Sequence, residues 1–368
     1  MSTSTLPRPE APAASRLRLI DCDIHPAPRD AAVLDRWLPE RWRRHRQEYG
    51  LRLRQPFTVG HPYPKATPAL SRYDSWPPGG GPPGSDLDFM REQHLDLLDI
   101  EHGMLQPLAA RGMDERNPGF AAALSSAVND WMREDWTARE PRLKATICVP
   151  GEDPAASVRE IERWAGQPDF VQVAMVSRAL EPLGRQRYWP IYEAAEHHGL
   201  PLGLHSLGTS GHPVTGGGWP SFYFEEHQAV AMSMAALCAS FILEGVFDRF
   251  PRLKIVIIEG GFGWVPSLGW RMDGLWKSLR SEVPHLQRKP SDYLRSHLWF
   301  TTQPVEEPER PEHVRRVIDW IGRDRLLFAT DYPHWDSDDP RYAFKLPLSE
   351  AERRAILADN ARAVYGLV

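Results

Sequence analysis

A chain of 368 residues with 42% hydrophobic and 25% charged side chains can bury a full core, in one large domain or two average ones. Its net charge of −5 arises without a basic block, and the densest positive run, RWRRHRQ at 41–47, reads as a solvated helix face rather than a nucleic-acid contact. Cys22, Cys148 and Cys238 form neither a CxxC pair nor a disulfide framework, and no run of about 18 apolar residues predicts a membrane span, so a reducing, cytoplasmic setting is expected.

Residues 1–16 are rich in Ser, Pro and Ala and lack the apolar centre of a signal peptide, which predicts a disordered N-terminal extension before a single domain at 17–368. The first apolar run is LRLIDCDIH (17–25), followed by the Arg-rich helix. Residues 51–86, ending SWPPGGGPPGSD, match neither helical nor strand period and predict a Pro/Gly-rich insertion. Amphipathic REQHLDLLDIEH leads to GMLQPL (103–108). NPGFAAALSSAVNDWMRED then precedes LKATICVP (143–150), DPAASVREIERWAG precedes FVQVAMVS (170–177), and YWPIYEAAEHHG precedes LPLGLHS (200–206). A loop of glycines and aromatics (207–227) separates that run from the helical AVAMSMAALCASFILEGVFDRF and from LKIVIIEGG (253–261). HLWFTTQ (297–303), helical PEHVRRVIDWIG and LLFATDYP (326–333) complete the series.

Short apolar runs alternating with helices imply a parallel sheet whose strands are buried on both faces. Eight of them fit a (β/α)₈ TIM barrel with long loop insertions on its C-terminal face. The rival, a doubly wound open sheet, calls for a Gly-rich phosphate loop after an early strand, and CDIHPAPRD has no glycine. In a barrel the insertion at 51–86 and the loop at 207–227 would both project over the mouth, the first as a cover or a disordered loop, the second as a lid contacting substrate.

The strand ends carry the polar groups. Run one ends in Asp21, Asp23 and His25, run five in His205, run six in Glu259, run seven in Gln303 and run eight in Asp331. Strand alternation points Asp21, Asp23 and His25 the same way. Asp23, His25, His205 and Asp331 then form an N₂O₂ set for one divalent ion, Zn²⁺ first, with Mn²⁺ or Fe²⁺ as carboxylate-tolerant alternatives. Each residue has a plainer reading: His205 as a core histidine, Asp331 as a helix cap, Glu259 as a structural carboxylate, Asp21 as an orienting group.

In their order, DCDIHP (21–26), LPLGLHS (200–206), FPRLKIVIIEGGFGWVP (250–266), LFATDYPHWD (327–336) and NARAVYGL (360–367) resemble the amidohydrolase superfamily, in the branch that contains aminocarboxymuconate-semialdehyde decarboxylase and γ-resorcylate decarboxylase. The resemblance implies one divalent metal on Asp23, His25 and His205, with Asp331 as ligand or base. It also places Glu259 where relatives commonly carry a catalytic histidine, and Phe262 where resorcylate-type decarboxylases have a further glutamate. On this departure the expected activity is hydrolysis of a small cyclic or aromatic amide or ester by metal-activated water, with Asp331 as base. The alternative is non-oxidative decarboxylation, or hydration, of an aromatic or unsaturated carboxylic acid. His334 and Glu259 are further candidate catalytic residues; Arg29, Gln303, Trp219, Phe222 and Glu226 are candidate substrate contacts. Asp336, Asp338 and Asp339 read as helix caps. Trp-rich helices suggest a homodimer.

Overall fold

The computed structural model describes residues 17–50, 68–108, 112–113, 115–206 and 213–367. The expected extension, 1–16, lies outside the described residues, as do 51–67 of the insertion and 207–212 of the loop after the fifth run. Among the described residues one parallel sheet runs in chain order: β1 (Leu19–Ile24), β2 (Ile100–Leu105), β3 (Leu143–Ile147), β4 (Phe170–Val176), β5 (Leu202–His205), β6 (Ile255–Ile258), β7 (Leu298–Thr301) and β8 (Leu326–Leu327). Each overlaps one of the eight apolar runs. The chain beyond β8 returns to β1: Cys22 N donates to Phe328 O (2.9 Å), Asp331 N to Asp23 O (3.1 Å) and His25 N to Tyr332 O (2.8 Å). These bonds close the ring, and the fold is a (β/α)₈ barrel rather than an open sheet.

Alternation sorts the strand side chains into two layers. Ile20, Cys22, Met104, Val256, Ile258, Leu327 and Ala329 form the inner cluster. Leu202, Leu204, Ile255, Ile257, Leu298, Phe300 and Phe328 face the surrounding helices. The C-terminal helix Asn360–Tyr365 adds Ala361, Val364 and Tyr365 to the inner cluster, with Tyr365 Oη 3.1 Å from Gln172 Oε1. This end of the barrel is therefore filled, and the polar strand ends gather at the other.

β1 breaks its own alternation. The register with β2 shifts between Asp21 and Ile24, so that Cys22 joins the inner cluster while Ile24 packs outward. The expectation that Asp21, Asp23 and His25 share one side is thereby corrected. The irregularity turns Asp21 towards the helical segment just ahead of β2, where it meets His94, and leaves Asp23 and His25 at the mouth.

The helix between β5 and β6, Tyr223–Leu243, starts six residues before the expected AVAMSM pattern. It is long and apolar enough to cross a membrane by length and composition, contrary to the sequence expectation. Here Ala229, Met234, Leu237, Cys238, Phe241 and Ile242 bury its apolar side within the protein. Two helices, Val265–Leu279 and Pro290–His297, fill the β6–β7 connection.

The described part of the insertion, 68–86, lies across the barrel mouth. Ser71 pairs with His334 as an antiparallel bridge, Arg72 N donates to Pro333 O, and Trp335 N to Leu70 O. Its far end rests on β1: Ala27 N donates to Gly84 O, and a Cβ on Gly84 would stand 2.2 Å from the His25 carbonyl oxygen. Only glycine fits that approach.

At the opposite end, Glu140 is buried between Arg91 (2.8 Å) and Arg142 (2.8 Å) just ahead of β3. The Arg142 hydrogen bond outweighs burial and, with Arg91, lowers its carboxyl to about 2. A depressed carboxyl stabilises the fold above its unfolded value, and that contribution disappears as the pH falls through the folded one. Glu140→Gln should therefore cost about 2 kcal/mol, on the order of 4 °C in Tm, at pH 7. The difference from the parent protein should shrink from roughly pH 4 downwards in thermal melts.

Candidate functional site

Six strand-end side chains meet at the mouth. Asp23, His25, His205 and Asp331 are 1%, 4%, 3% and 0% exposed. His25 Nδ1 lies 2.8 Å from Gln106 O; a carbonyl only accepts, so Nδ1 donates to it and Nε2 faces the carboxylates. That Nε2 is 2.6 Å from Asp331 Oδ1 and 3.5 Å from Asp23 Oδ1, and His205 Nε2 is 3.6 Å from both Asp23 Oδ2 and Glu259 Oε2. His334 stacks obliquely on His25 at 4.4 Å and reaches Asp331 Oδ1 at 2.7 Å through Nδ1.

Both Asp23 carboxylate oxygens and Asp331 Oδ2 are buried without a hydrogen-bond partner. A polar atom so placed costs roughly 1–3 kcal/mol, more if charged. Burial pushes the Asp23 carboxyl up to about 8, and that of Glu259 likewise to about 8 with the charge of Asp331 adding to the effect. Burial also opposes ionisation of Asp331, but the charges of His334 and His25 and their hydrogen bonds win and hold it well below the usual carboxylate range. Reciprocally, burial would lower His334, yet Asp331 raises it to about 9. Three carboxylates this close cannot all be charged without a compensating cation.

The residues fit such a cation. Ligand atoms of Asp23, His25 and His205 lie within 4.8 Å of one another, as do those of His25, Asp331 and His334. Orphaned carboxylate oxygens and an imidazole with a fixed tautomer are what an oxygen- and nitrogen-preferring divalent ion needs. The backbone is also bent to present them. Glu259 (φ 54°) and Asp331 (φ 63°) both adopt the left-handed region, at about 1 kcal/mol or more each.

A second ring of contacts fixes the first. Asp21 accepts from the amides of Asp23 (3.2 Å) and Thr330 (2.9 Å), from Thr330 Oγ1 (2.5 Å) and from His94 (2.8 Å), tying β1 to the chain after β8. Ser206 Oγ donates to Glu259 Oε2, and the Glu259 amide donates to Thr301 Oγ1 (3.1 Å). Asp336 accepts from Gln303 (3.1 Å) and pairs with His227 (3.0 Å), so it is not a helix cap; the next helix begins only at Glu350. Asp338 and Asp339 likewise lie far before that helix, Asp339 pairing with Arg341.

Other expected contacts fall elsewhere. Arg29 is exposed and donates to Gly79 O, holding the insertion rather than facing the site. Trp219 and Phe222 are 40% and 70% exposed at the rim. Gln303 is buried but bound to Asp336, and Glu226 lies 3.8 Å from Arg178. Gln106, Ser206, His94 and Arg178 were not singled out from the sequence. Ser206 directly follows His205 and Arg178 directly follows the fourth run, but their aim depends on neighbouring strands.

The fold and the site define a parallel-barrel enzyme with a carboxylate–imidazole centre at its mouth. The amidohydrolase family model matches residues 20–367, and the chain belongs to that family. It is 28% identical over 312 residues to γ-resorcylate decarboxylase of a Polaromonas species, covering 77% of this chain and 92% of that one. The fold matches 5-carboxyvanillate decarboxylase from Sphingomonas paucimobilis with a TM-score of 0.67 at 23% identity, over 96% and 100% of the two chains. It matches a dihydroxybenzoic acid decarboxylase from Polaromonas, with bound manganese and 2-nitroresorcinol, with a TM-score of 0.63 at 21% identity, over 95% and 97%. These findings overturn the expected amide or ester hydrolysis, because the relatives remove carboxyl groups from aromatic acids. They give no support to zinc as first choice; manganese is the ion bound in the Polaromonas structure.

Asp23→Asn removes a buried carboxylate that has no hydrogen bond while keeping its shape. In chelator-treated protein it should raise stability by about 1 kcal/mol. The same variant should lose the upward Tm shift that Mn²⁺ gives the parent, read by calorimetry with and without the ion.

Proposed function

We propose that the protein is a metal-dependent, non-oxidative decarboxylase of an aromatic hydroxy acid, with one Mn²⁺ held by Asp23, His25, His205 and Asp331. The observation that carries this reading is the set of three buried carboxylate oxygens, both of Asp23 and Oδ2 of Asp331, that lack hydrogen bonds beside two imidazoles. Its kinship with γ-resorcylate decarboxylase supplies the reaction class. Bound there, the ion would supply a positive charge for the substrate carboxylate and a neighbouring hydroxyl.

The protein's own groups divide the remaining work. Gln106 O fixes the His25 tautomer and so keeps its Nε2 turned to the centre. Asp331, ionised at rest, takes a proton from His334 along the 2.7 Å Nδ1–Oδ1 contact and passes it to the ring carbon bearing the carboxylate; the C–C bond breaks, its electron pair restores the aromatic ring, and CO₂ leaves. Glu259, held by Ser206, faces His205. Residues 68–86 of the insertion close over His334 and shield the protonation step from water.

Mn²⁺-loaded protein incubated with 2,6-dihydroxybenzoate or 5-carboxyvanillate should release CO₂ and the matching phenol. Chelation should stop turnover and Mn²⁺ should restore it. Asp331→Asn should slow CO₂ release on the order of 10³-fold. Metal uptake without CO₂ from either acid would overturn the reading.

A further inference from the structure

One helical turn, Arg91–Leu95, just ahead of β2, touches both the insertion and the backbone of the metal ligands. It is wound more widely than an α-helix: the Asp96 amide donates to the Arg91 carbonyl five residues back (2.9 Å). Such turns are rare in proteins and frequent at functional sites. Its neighbouring residues Gln93 and His94 reach the polar centre by two separate routes.

His94 is buried, and its Nε2 meets Asp21 Oδ2 at 2.8 Å, while Asp21 Oδ1 accepts the amides of Asp23 (3.2 Å) and Thr330 (2.9 Å). One imidazole thus orients the carboxylate that fixes the backbone of Asp23 and of the residue before Asp331. The His94 ring also stacks on Tyr332 at 4.5 Å. Tyr332 directly follows Asp331, and its carbonyl accepts the His25 amide (2.8 Å). Gln93 holds the other end of that tyrosine: its Oε1 accepts from Tyr332 Oη (2.9 Å), and its Nε2 donates to Asp74 O (2.6 Å) in the insertion. Arg72, paired with Asp74 (2.9 Å), donates its amide to Pro333 O (3.1 Å). Packing alone would be served by an apolar ring and an ordinary α-turn.

We propose that His94 is a positioning residue for the metal centre and that, with Gln93, it couples metal binding to the seating of residues 68–86 across the mouth. The inference rests on the metal-binding part of the reading above and is independent of which bond the enzyme breaks. When Asp23, His25 and Asp331 are held by an ion, Asp21 and the Tyr332 backbone are held with them. Through His94 and Gln93 the contact at Asp74 is then held as well. Linkage makes the effect reciprocal, so that a seated insertion tightens the metal site.

Mn²⁺ titration calorimetry and hydrogen–deuterium exchange on the full, chelator-treated chain test this. His94→Leu should weaken Mn²⁺ binding about tenfold or more, and His94→Gln, whose amide replaces the imidazole Nε2 as donor, should recover most of it. In the parent, saturating Mn²⁺ should slow exchange of the Arg72 and Trp335 amides about fivefold. Gln93→Met, at a half-buried position, should lose that slowing at Arg72 even when saturated with Mn²⁺. Unchanged Mn²⁺ affinity in His94→Leu, a His94→Gln variant no better than His94→Leu, or full slowing in Gln93→Met would each overturn the coupling. Should His94→Leu fail to fold, the exchange of Gln93→Met decides alone. No Mn²⁺ uptake by the parent would remove the metal reading and this one together. The expected pattern in a protein that releases no CO₂ would keep the coupling and remove only the decarboxylase reading.

Discussion

Two carboxylates and two imidazoles are buried together at the barrel mouth, and both Asp23 oxygens and Asp331 Oδ2 have no hydrogen bond there. In a low-dielectric pocket that arrangement is unstable as a set of free charges. The surrounding structure holds it against that cost. Asp21 clamps the amides of Asp23 and Thr330, Gln106 holds His25, Ser206 holds Glu259, and His334 partly neutralises Asp331. The left-handed backbone at Glu259 and Asp331 is a further cost concentrated on the same few residues.

The barrel makes this concentration affordable in geometry. Its inner cluster is closed at one end by Tyr365 and the C-terminal helix, so the polar groups have a single open face. The insertion then covers that face from β1 to the loop after β8, through backbone pairing that requires Gly84 against the His25 carbonyl. Site and cover are linked by the same two stretches of chain. The ligand strand β1 is also a strand that bears the cover, and His334 both stacks on His25 and pairs with Ser71.

The Glu259 position shows how a local substitution can mislead. A glutamate in place of the relatives' histidine argued for hydrolysis, yet the kinship lies with decarboxylases of aromatic acids. The imidazole nearest Asp331, apart from His25, comes from His334 on the loop after β8, bonded at 2.7 Å. An imidazole beside the strand-eight carboxylate is thus available without one on β6, and the character of residue 259 alone was too narrow a basis for choosing the reaction.

The eight apolar runs, their order and the polar residues that end them were legible in the sequence, because strands buried on both faces need continuous apolar side chains and leave polar ones only at their ends. Asp23, His25, His205, Glu259 and Asp331 stood out that way, and His334 only by lying three residues beyond Asp331. The aim of individual side chains was not legible. Strict alternation put Asp21 beside Asp23, whereas a register shift against β2 turned it to His94. Arg29 looked placed for substrate but bonds Gly79 in the insertion, while Arg178 was passed over although it is buried beside the His205 strand. Sequence alone determined which residues sit at strand ends, a matter of hydrophobic period. Only the tertiary structure decided which of them face one another, because that depends on strand register, loop backbone and contacts between residues hundreds of positions apart.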